Sequence, residues 1–499
     1  MSLADAAPSL LVRTPGVEVP GVAFPLVDPR ALSIGIVHLG IGAFHRAHQA
    51  VYTEDAMAAA GETRWGILGV TGRSDAVVRN LLPQDGLYGV LAKGPDAREL
   101  RVVGSVRDVA WPGNRTAAVL KSLAAPTTHV VTLTITEKGY MRAPGGGINA
   151  GDPDVASDLA LADRVLAGEE VAEQSSTLIG ILVRGLVLRF VTSRAPVTVV
   201  SCDNLAHNGE ATRAVVVSAI SSLRAPVALL AWLHSSVAFP STMVDRITPA
   251  TTDADHHEAE ALLGLSDEGL VVAEPFCQWV IEDSFLSDRP RWELAGAILT
   301  TDVQPYEDMK LRILNCTHSL LAYLGALMGY ATIAEAIGDS RLRQTASRMI
   351  TEDVLPTLRA PAEMNLAEYR DGTLDRFANP NLAHTTAQVA MDGSQKLPQR
   401  LFPTIADRLS AGAIPHHLAL LTAAWITYVA GTESLVDPLS SQLRASVPSR
   451  HALYANPGAA VRTILAVQSV CPPSVQESAP FCEAVVNQLE SVRVLAEPR

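Results

Sequence analysis

A short β-branched run that ends in glycines and leads straight into a helix constrains this chain more than any other feature. The stretch "SIGIVHLGIGAFHRAHQAVYTEDAMAAAG", residues 33–61, reads as strand, glycine turn and helix, and "WGILGVTGRSDAVVRNLL", residues 65–82, repeats the order. Further buried strands are expected at "THVVTLTIT" (128–136) and "PVTVVSCDN" (196–204), with the amphipathic helix "SSTLIGILVRGLVLRFVTS" between them. A strand buried on both faces has no wet side, so it reads as a continuous apolar run. Such strands alternating with helices pack as parallel βαβ units in a doubly wound sheet.

From about residue 304 the texture changes. Pro305 suits a first helical turn, and Glu307 and Asp308 suit the positive end of a helix dipole. Beyond them the chain reads as mostly helical, with its clearest loop at "RFANPNLAHTT". The expected organisation is an α/β N-terminal Rossmann-like domain, residues 1–298, followed by a mostly α-helical C-terminal domain, residues 299–499. The active site is expected in the cleft, with Lys310 entering from the second domain.

A length of 499 residues allows two or three well-filled domains, and 48% hydrophobic against 18% charged residues excludes a disordered chain. A formal charge of −13 argues against nucleic acid and anionic membrane as partners, but leaves room for an acidic small molecule in a local basic pocket. The N-terminus lacks the basic and apolar regions of a signal peptide, and "LALLTAAWITYVAG" (418–431) is too short to span a bilayer. Five cysteines, at 202, 277, 316, 471 and 482, form no CxxC pair, which fits reduced thiols in a cytoplasm.

Gly40 and Gly42 follow a strand and precede a helix, where such a turn can offer backbone N–H groups to a pyrophosphate. The dinucleotide fingerprint wants a third small residue, and His45 holds that position. Asp75, after the next strand, can accept the adenosine ribose hydroxyls and would repel a 2′-phosphate, which favours NAD over NADP. The alternative for Asp75 is a helix N-cap. Gly40, Gly42, Phe44, Arg46 and Asp75 are the cofactor-binding candidates. Neither His45 with His48 nor His256 with His257 has a third ligand at a zinc-like spacing, so no metal is expected. A GxSxG elbow is absent. Tyr306-x-x-x-Lys310 matches the catalytic pair of short-chain dehydrogenases, but the chain lacks their TGxxxGxG turn.

In "KLRILNCTHSLLAYLG" (310–325) a lysine falls among leucines. At about 100° per residue, Lys310 projects into the arc of Ile313, Leu314, Leu320, Leu321 and Leu324. His318 lies about 80° round from Lys310, and Asn315 about 60° beyond that. Burying a lysine is costly unless its charge is paired or its pKa falls. Read singly, Lys310 can snorkel from a helix end, Asn204 can cap a turn, and His318 can be a hydrogen-bonded core residue.

Seven blocks in order, "GIVHLGIGAFHRAHQAVYT", "TITEKGY", "SCDNLAHNG", "FPSTMVDRITPA", "QWVIEDSF", "MKLRILNCTHSLLAYLG" and "MDGSQKLPQR", resemble the polyol-specific long-chain dehydrogenases. That family includes mannitol 2-dehydrogenase and fructuronate reductase (D-mannonate oxidoreductase). In it, Lys-x4-Asn-x2-His is the catalytic constellation, which here falls on Lys310, Asn315 and His318. The resemblance implies that Lys310 is the general acid/base, its pKa lowered toward neutrality by apolar surroundings. It implies that Asn315 and Asn204 donate hydrogen bonds to the carbonyl oxygen, that His318 orients the substrate hydroxyls, and that Glu307 exchanges the proton with solvent. Asp245 and Lys396 match substrate-contacting positions. The implied cofactor is NAD(H), without a metal, and the implied state is a monomer.

A hexuronate needs a cation for its carboxylate, whereas a neutral hexitol needs only hydrogen bonds. Lys138 stands where mannitol dehydrogenases tend to carry glycine, and Gln388 where they can carry arginine. Lys138, Lys396 and Arg400 are therefore candidate carboxylate partners, with plain salt bridges or loop contacts as the alternative for Lys138 and Arg400. Cys277 replaces the arginine expected in fructuronate reductases, which counts against the uronate, and Cys316 replaces a more usual glycine. The favoured reaction is the interconversion of D-mannonate and D-fructuronate. The alternatives are mannitol or another polyol and, of a different class, a non-catalytic NAD-binding sensor.

Overall fold

Six parallel strands form the main sheet: β1 (Ile34–Leu39), β2 (Gly66–Val70), β3 (Val106–Ala110), β4 (Val130–Leu133), β5 (Val197–Ser201) and β6 (Val237–Ala238). Their spatial order is β3-β2-β1-β4-β5-β6, the doubly wound order in which the sequence path reverses between β1 and β4. The computed structural model describes residue 11 and residues 21–496, apart from 73, 363, 383, 468 and 469. It divides into two compact units, Met1–Val303 and Gln304–Arg499.

In the first unit β2, β4 and β5 are buried at every residue, so they stand out as apolar runs. β3, with Arg107 and Asp108 inside it, and β6, two residues long, do not have that signature and were not legible. Two smaller sheets, with antiparallel pairing, were also not foreseen. One pairs Tyr88–Lys93 with Arg98–Val103, and the other pairs Thr242–Asp245 with Gln278–Glu282.

Helix α1 (Ala43–Ala47) gives way at His48 to α2 (Gln49–Ala60), and α3 (Leu178–Thr192) follows further along the chain. The sequence pattern makes α3 amphipathic, yet both of its arginines that suggest a wet face, Arg184 and Arg189, are fully buried. Arg189 resolves the conflict by donating to the carbonyls of Leu123, Ala125, Thr128, Ala195 and Pro196. A guanidinium carries five N–H donors and so can satisfy several loop carbonyls at once.

The second unit is helical among the described residues, apart from one isolated bridge between Thr332 and Thr385. It opens with α4 (Gln304–Met309), whose first turn holds Pro305 and Glu307. A π-helical turn, Lys310–Asn315, leads into α5 (Cys316–Leu327). Then come α6 (Thr386–Ala390), α7 (Gly393–Arg400), α8 (His416–Gly431) and α9 (Ala479–Ala496). α8 holds the apolar 418–431 run, buried almost all round in the helical core. No helix among the described residues is long and apolar enough to cross a membrane.

Candidate active site

β1 ends where the chain turns on Gly40 at φ +97°. A Cβ there would lie 2.2 Å from the Thr134 carbonyl oxygen, so both conformation and space demand glycine. At Gly42 a Cβ would meet nothing nearer than the Gly40 oxygen at 3.8 Å. Room is therefore left in front of the backbone where α1 begins, the kind of room a pyrophosphate uses to reach backbone N–H groups. The residues present fit a dinucleotide. In the third fingerprint position, His45 stacks on His38 of β1 with centroids 3.3 Å apart and rings 10° from parallel. The His38 nitrogens pair with the hydroxyls of Thr132 at 2.7 Å and Thr134 at 2.9 Å, and burial pushes its pKa down to about 3. A flat neutral ring packed on the strand thus stands in for a small residue.

The other cofactor candidates each have partners within the protein. Phe44 is half-buried and stacks on His48 at 5.0 Å. Arg46 is buried, donates to the carbonyls of Gly42 and Gly269, and lies over the Tyr88 ring at 5.4 Å. Through those two bonds it braces the turn from inside the unit. Asp75 stands at the N-cap position of the helix Ala76–Leu81 but makes no side-chain cap there; it pairs with Arg79 on the surface. Such an exposed pair is worth about 0–1 kcal/mol, so a ribose can displace it at little cost.

Further round the sheet, Asn204 is exposed in the segment after β5, and Lys138 is exposed on the one after β4. Asp203, beside Asn204, is buried and bonds the Ile135 and Thr136 amides. Sequence reasoning passed over it, although an acid closing the apolar run "VTVVSCD" is the signal that could have found it. Asp245 is buried at the end of its strand, opposite Gln278. Cys277 is half-buried near Asp245, Arg246 and Glu274, with Tyr52 hydrogen-bonded to it; burial raises its thiol pKa.

In the second unit the π turn corrects the wheel. A π turn bonds i to i+5, so residues five apart lie about one turn apart rather than roughly 140° round. Lys310 and Asn315 come onto one face, and His318, three residues on in α5, continues it. Glu307 lies one turn before Lys310. Glu307, Lys310 and Asn315 are all buried. The Asn315 Nδ2 and His318 Nε2 atoms are buried without a hydrogen-bond partner among the described residues, so each is open to a water or a ligand.

The His318 ring sits between Phe377 at 4.9 Å and His384 at 5.6 Å. Burial, followed by the charges of His384, Arg400, Lys396 and Arg376, holds His318 well below the ordinary histidine pKa. It is therefore a neutral imidazole. Lys396 donates to the Val389 carbonyl at 3.1 Å, and burial with the neighbouring Arg400 lowers its pKa to about 8. Arg400 lies near Ser319, with Nη1 3.4 Å from the hydroxyl oxygen. Arg376 and His384 were not singled out from the sequence. Gln388, a substrate candidate, is exposed and closes a capping box with Thr385 at the start of α6. Its amide is engaged with the backbone, because the Thr-x-x-Gln spacing is also a capping signal.

Hydride chemistry at a CH–OH carbon needs a seat for a nicotinamide dinucleotide and a proton-transfer group shielded from bulk water. The fold and these residues define an oxidoreductase of the NAD-dependent class. Residues 34–294 match the mannitol dehydrogenase Rossmann domain and residues 302–493 the mannitol dehydrogenase C-terminal domain. The chain belongs to the mannitol dehydrogenase family, as the seven blocks indicated.

It is 40% identical over 434 residues to the D-mannonate oxidoreductase of Escherichia coli (strain K12), covering 85% of this chain and 87% of that one. It is 37% identical over 413 residues to the mannitol 2-dehydrogenase of Cereibacter sphaeroides, covering 82% and 84%. Among solved structures, the Pseudomonas fluorescens mannitol 2-dehydrogenase, in ternary complex with NAD and D-mannitol, superposes with a TM-score of 0.82 at 34% identity, over 96% of each chain. A substrate-free D-sorbitol dehydrogenase gives 0.84 at 29% identity, over 98% of this chain and 99% of that one.

Proposed function

We propose that this chain interconverts D-mannonate and D-fructuronate, using NAD(H), as a cytoplasmic monomer. The observation that carries the substrate is the set of cations around His318: Lys396, Arg400 and Arg376 all act on that one imidazole. A neutral polyol has no use for such a positive field, whereas a carboxylate is strongly favoured by it. The likeness to D-mannonate oxidoreductase supports the same reading. Five free cysteines suit a reducing compartment.

Gly40 and Gly42 would hold NAD(H), which when bound would supply the hydride chemistry. Lys310 delivers a proton to the carbonyl oxygen as negative charge develops there, and takes the hydroxyl proton in the oxidation direction. The Asn315 amide, buried and with no acceptor for Nδ2 among the described residues, donates to that oxygen, with Asn204 as a second donor. Neutral His318 orients the substrate hydroxyls, and Glu307 passes protons between Lys310 and solvent. Asp245 contacts a hydroxyl, and Lys396 and Arg400 take the carboxylate. Lys138 is kept as an auxiliary carboxylate partner.

Mannitol is the second reading, favoured by Cys277 in place of an arginine and by the likeness to mannitol 2-dehydrogenases. NADH consumption with D-fructuronate and with D-fructose, at equal enzyme and neutral pH, separates them. A preference of about a hundredfold for fructuronate, roughly 2.7 kcal/mol of transition-state binding, is expected. A preference for fructose refutes the uronate reading, and activity on neither would reopen the non-catalytic sensor.

A further inference from the structure

β4 and β5 pair in parallel from Val130↔Thr198 to Leu133↔Ser201, and the Cys202 N–H donates to the Leu133 carbonyl at 2.8 Å. Where that ladder ends, the Asp203 carboxylate takes over. Its Oδ2 accepts the Ile135 N–H at 3.0 Å and the Tyr140 hydroxyl at 2.8 Å, and its Oδ1 accepts the Thr136 N–H at 2.8 Å. The Tyr140 oxygen also lies 2.6 Å from Ser201 Oγ. Thr136 is held at φ +65°, a conformation a β-branched residue keeps only when its surroundings impose it.

On its other side Asp203 is tied down as well. Its carbonyl accepts from Asn208 Nδ2 at 3.0 Å, and Asn208 Oδ1 accepts the Thr242 N–H at 2.9 Å, anchoring the strand that ends at Asp245. No salt bridge to Asp203 occurs among the described residues, so a buried carboxylate is kept with only neutral donors, at the cost that burial raises its pKa. The chemistry explains why asparagine would not serve. Two consecutive amides and a phenol need acceptors on both oxygens, and an asparagine would turn an NH₂ toward one of those donors.

In a doubly wound dinucleotide sheet the adenosine half lies over β1 to β3, where Asp75 follows β2, and the nicotinamide half lies over β4 to β6. We propose that Asp203 is a positioning residue: it clips the 135–140 segment to the segment after β5 and thereby sets Asn204 beside the nicotinamide seat. The proposal rests on the NAD-linked reading above. Asp203 touches neither cofactor nor substrate in this assignment; it acts through Asn204 and the backbone of 135–136.

The test compares full-length Asp203→Asn and Tyr140→Phe with the wild-type chain by amide hydrogen exchange of the 134–141 peptide, NADH titration and kcat. Exchange in Asp203→Asn is expected to be at least about tenfold faster, because one of the two amides loses its acceptor and faces an NH₂ instead. Its NADH Kd should stay within about threefold and its kcat should fall about a hundredfold, the loss typical of a misplacement of roughly 1 Å. The isotope effect with 4-deuterated NADH should rise as hydride transfer slows. Tyr140→Phe removes one donor of three and should lower kcat about fivefold. Wild-type exchange and kcat in both variants overturn the proposal, as does a loss confined to NADH affinity. If Asp203→Asn does not fold, a wild-type kcat in Tyr140→Phe overturns it alone. Faster exchange in a chain whose wild type turns over no uronate or polyol supports the clip and sinks the substrate reading instead.

Discussion

Replacing Asn315 with leucine, a side chain of nearly the same shape, should damage activity while leaving stability intact or improved. The Asn315 Nδ2 is buried and has no acceptor among the described residues. An unsatisfied buried donor costs about 1–3 kcal/mol, which the substitution removes. A shape-conserving change in a packed site costs less than about 1.5 kcal/mol, so the net effect runs from roughly zero to about 3 kcal/mol of added stability. For a unit of this size each kcal/mol moves the melting point by about 2–4 °C. Against that, losing one donor to a developing oxyanion lowers kcat by about 10²–10³, or 2.7–4 kcal/mol. Calorimetric melting of the apoprotein and steady-state NADH consumption on the same preparation measure both quantities. A melting point lowered by more than a few degrees would mean that the amide holds the fold. A kcat within tenfold of wild type would mean that it does not meet the reacting oxygen. Either result refutes the reasoning.

Lys310→Ala should abolish turnover while the NADH Kd, measured by fluorescence titration, stays within about threefold, since the proton donor and the cofactor turn are separate parts. Lys396, lowered to about 8, carries its charge below that pH and loses it above, so KM for a hexuronate should climb as pH passes 8, and Lys396→Gln should raise KM at neutral pH and flatten the climb. Gly40→Ala, which drives a Cβ to 2.2 Å from the Thr134 oxygen at positive φ, should lower the melting point. Gly42→Ala meets only the Gly40 oxygen, at an unstrained 3.8 Å, and should leave melting unchanged but weaken NADH binding by about tenfold, an effect calorimetric titration would detect.

The parts legible in the sequence are those written in local periodicity. β1, β2, β4 and β5 announce themselves because strands buried on both faces must be continuously apolar, and the glycine turn after β1 does so because no other residue tolerates its φ and its neighbour. The change of texture near residue 304 is equally local, since α4 opens with Pro305 and acidic residues. A lysine among leucines at 310 is anomalous whatever surrounds it, and the block that holds it with Asn315 and His318 is one of the seven that together carried the family resemblance.

What the tertiary structure decided is which polar groups are already occupied and which are left open. Arg46 and Gln388 are suitable ligand-binding types in sequence, and only the fold shows that Arg46 also bonds the carbonyls of Gly42 and Gly269 and that Gln388 also closes a capping box. Asp203 carries no motif of its own, yet three donors from a segment more than sixty residues away converge on it. The π turn is likewise invisible to a wheel, because i→i+4 and i→i+5 bonding use the same residues and the surrounding core selects between them. Side-chain type and spacing are properties of the chain itself. The allocation of hydrogen-bond partners is long-range, because a buried donor or acceptor can be satisfied only by what the fold brings to it, and no local spacing foretells which groups that will be.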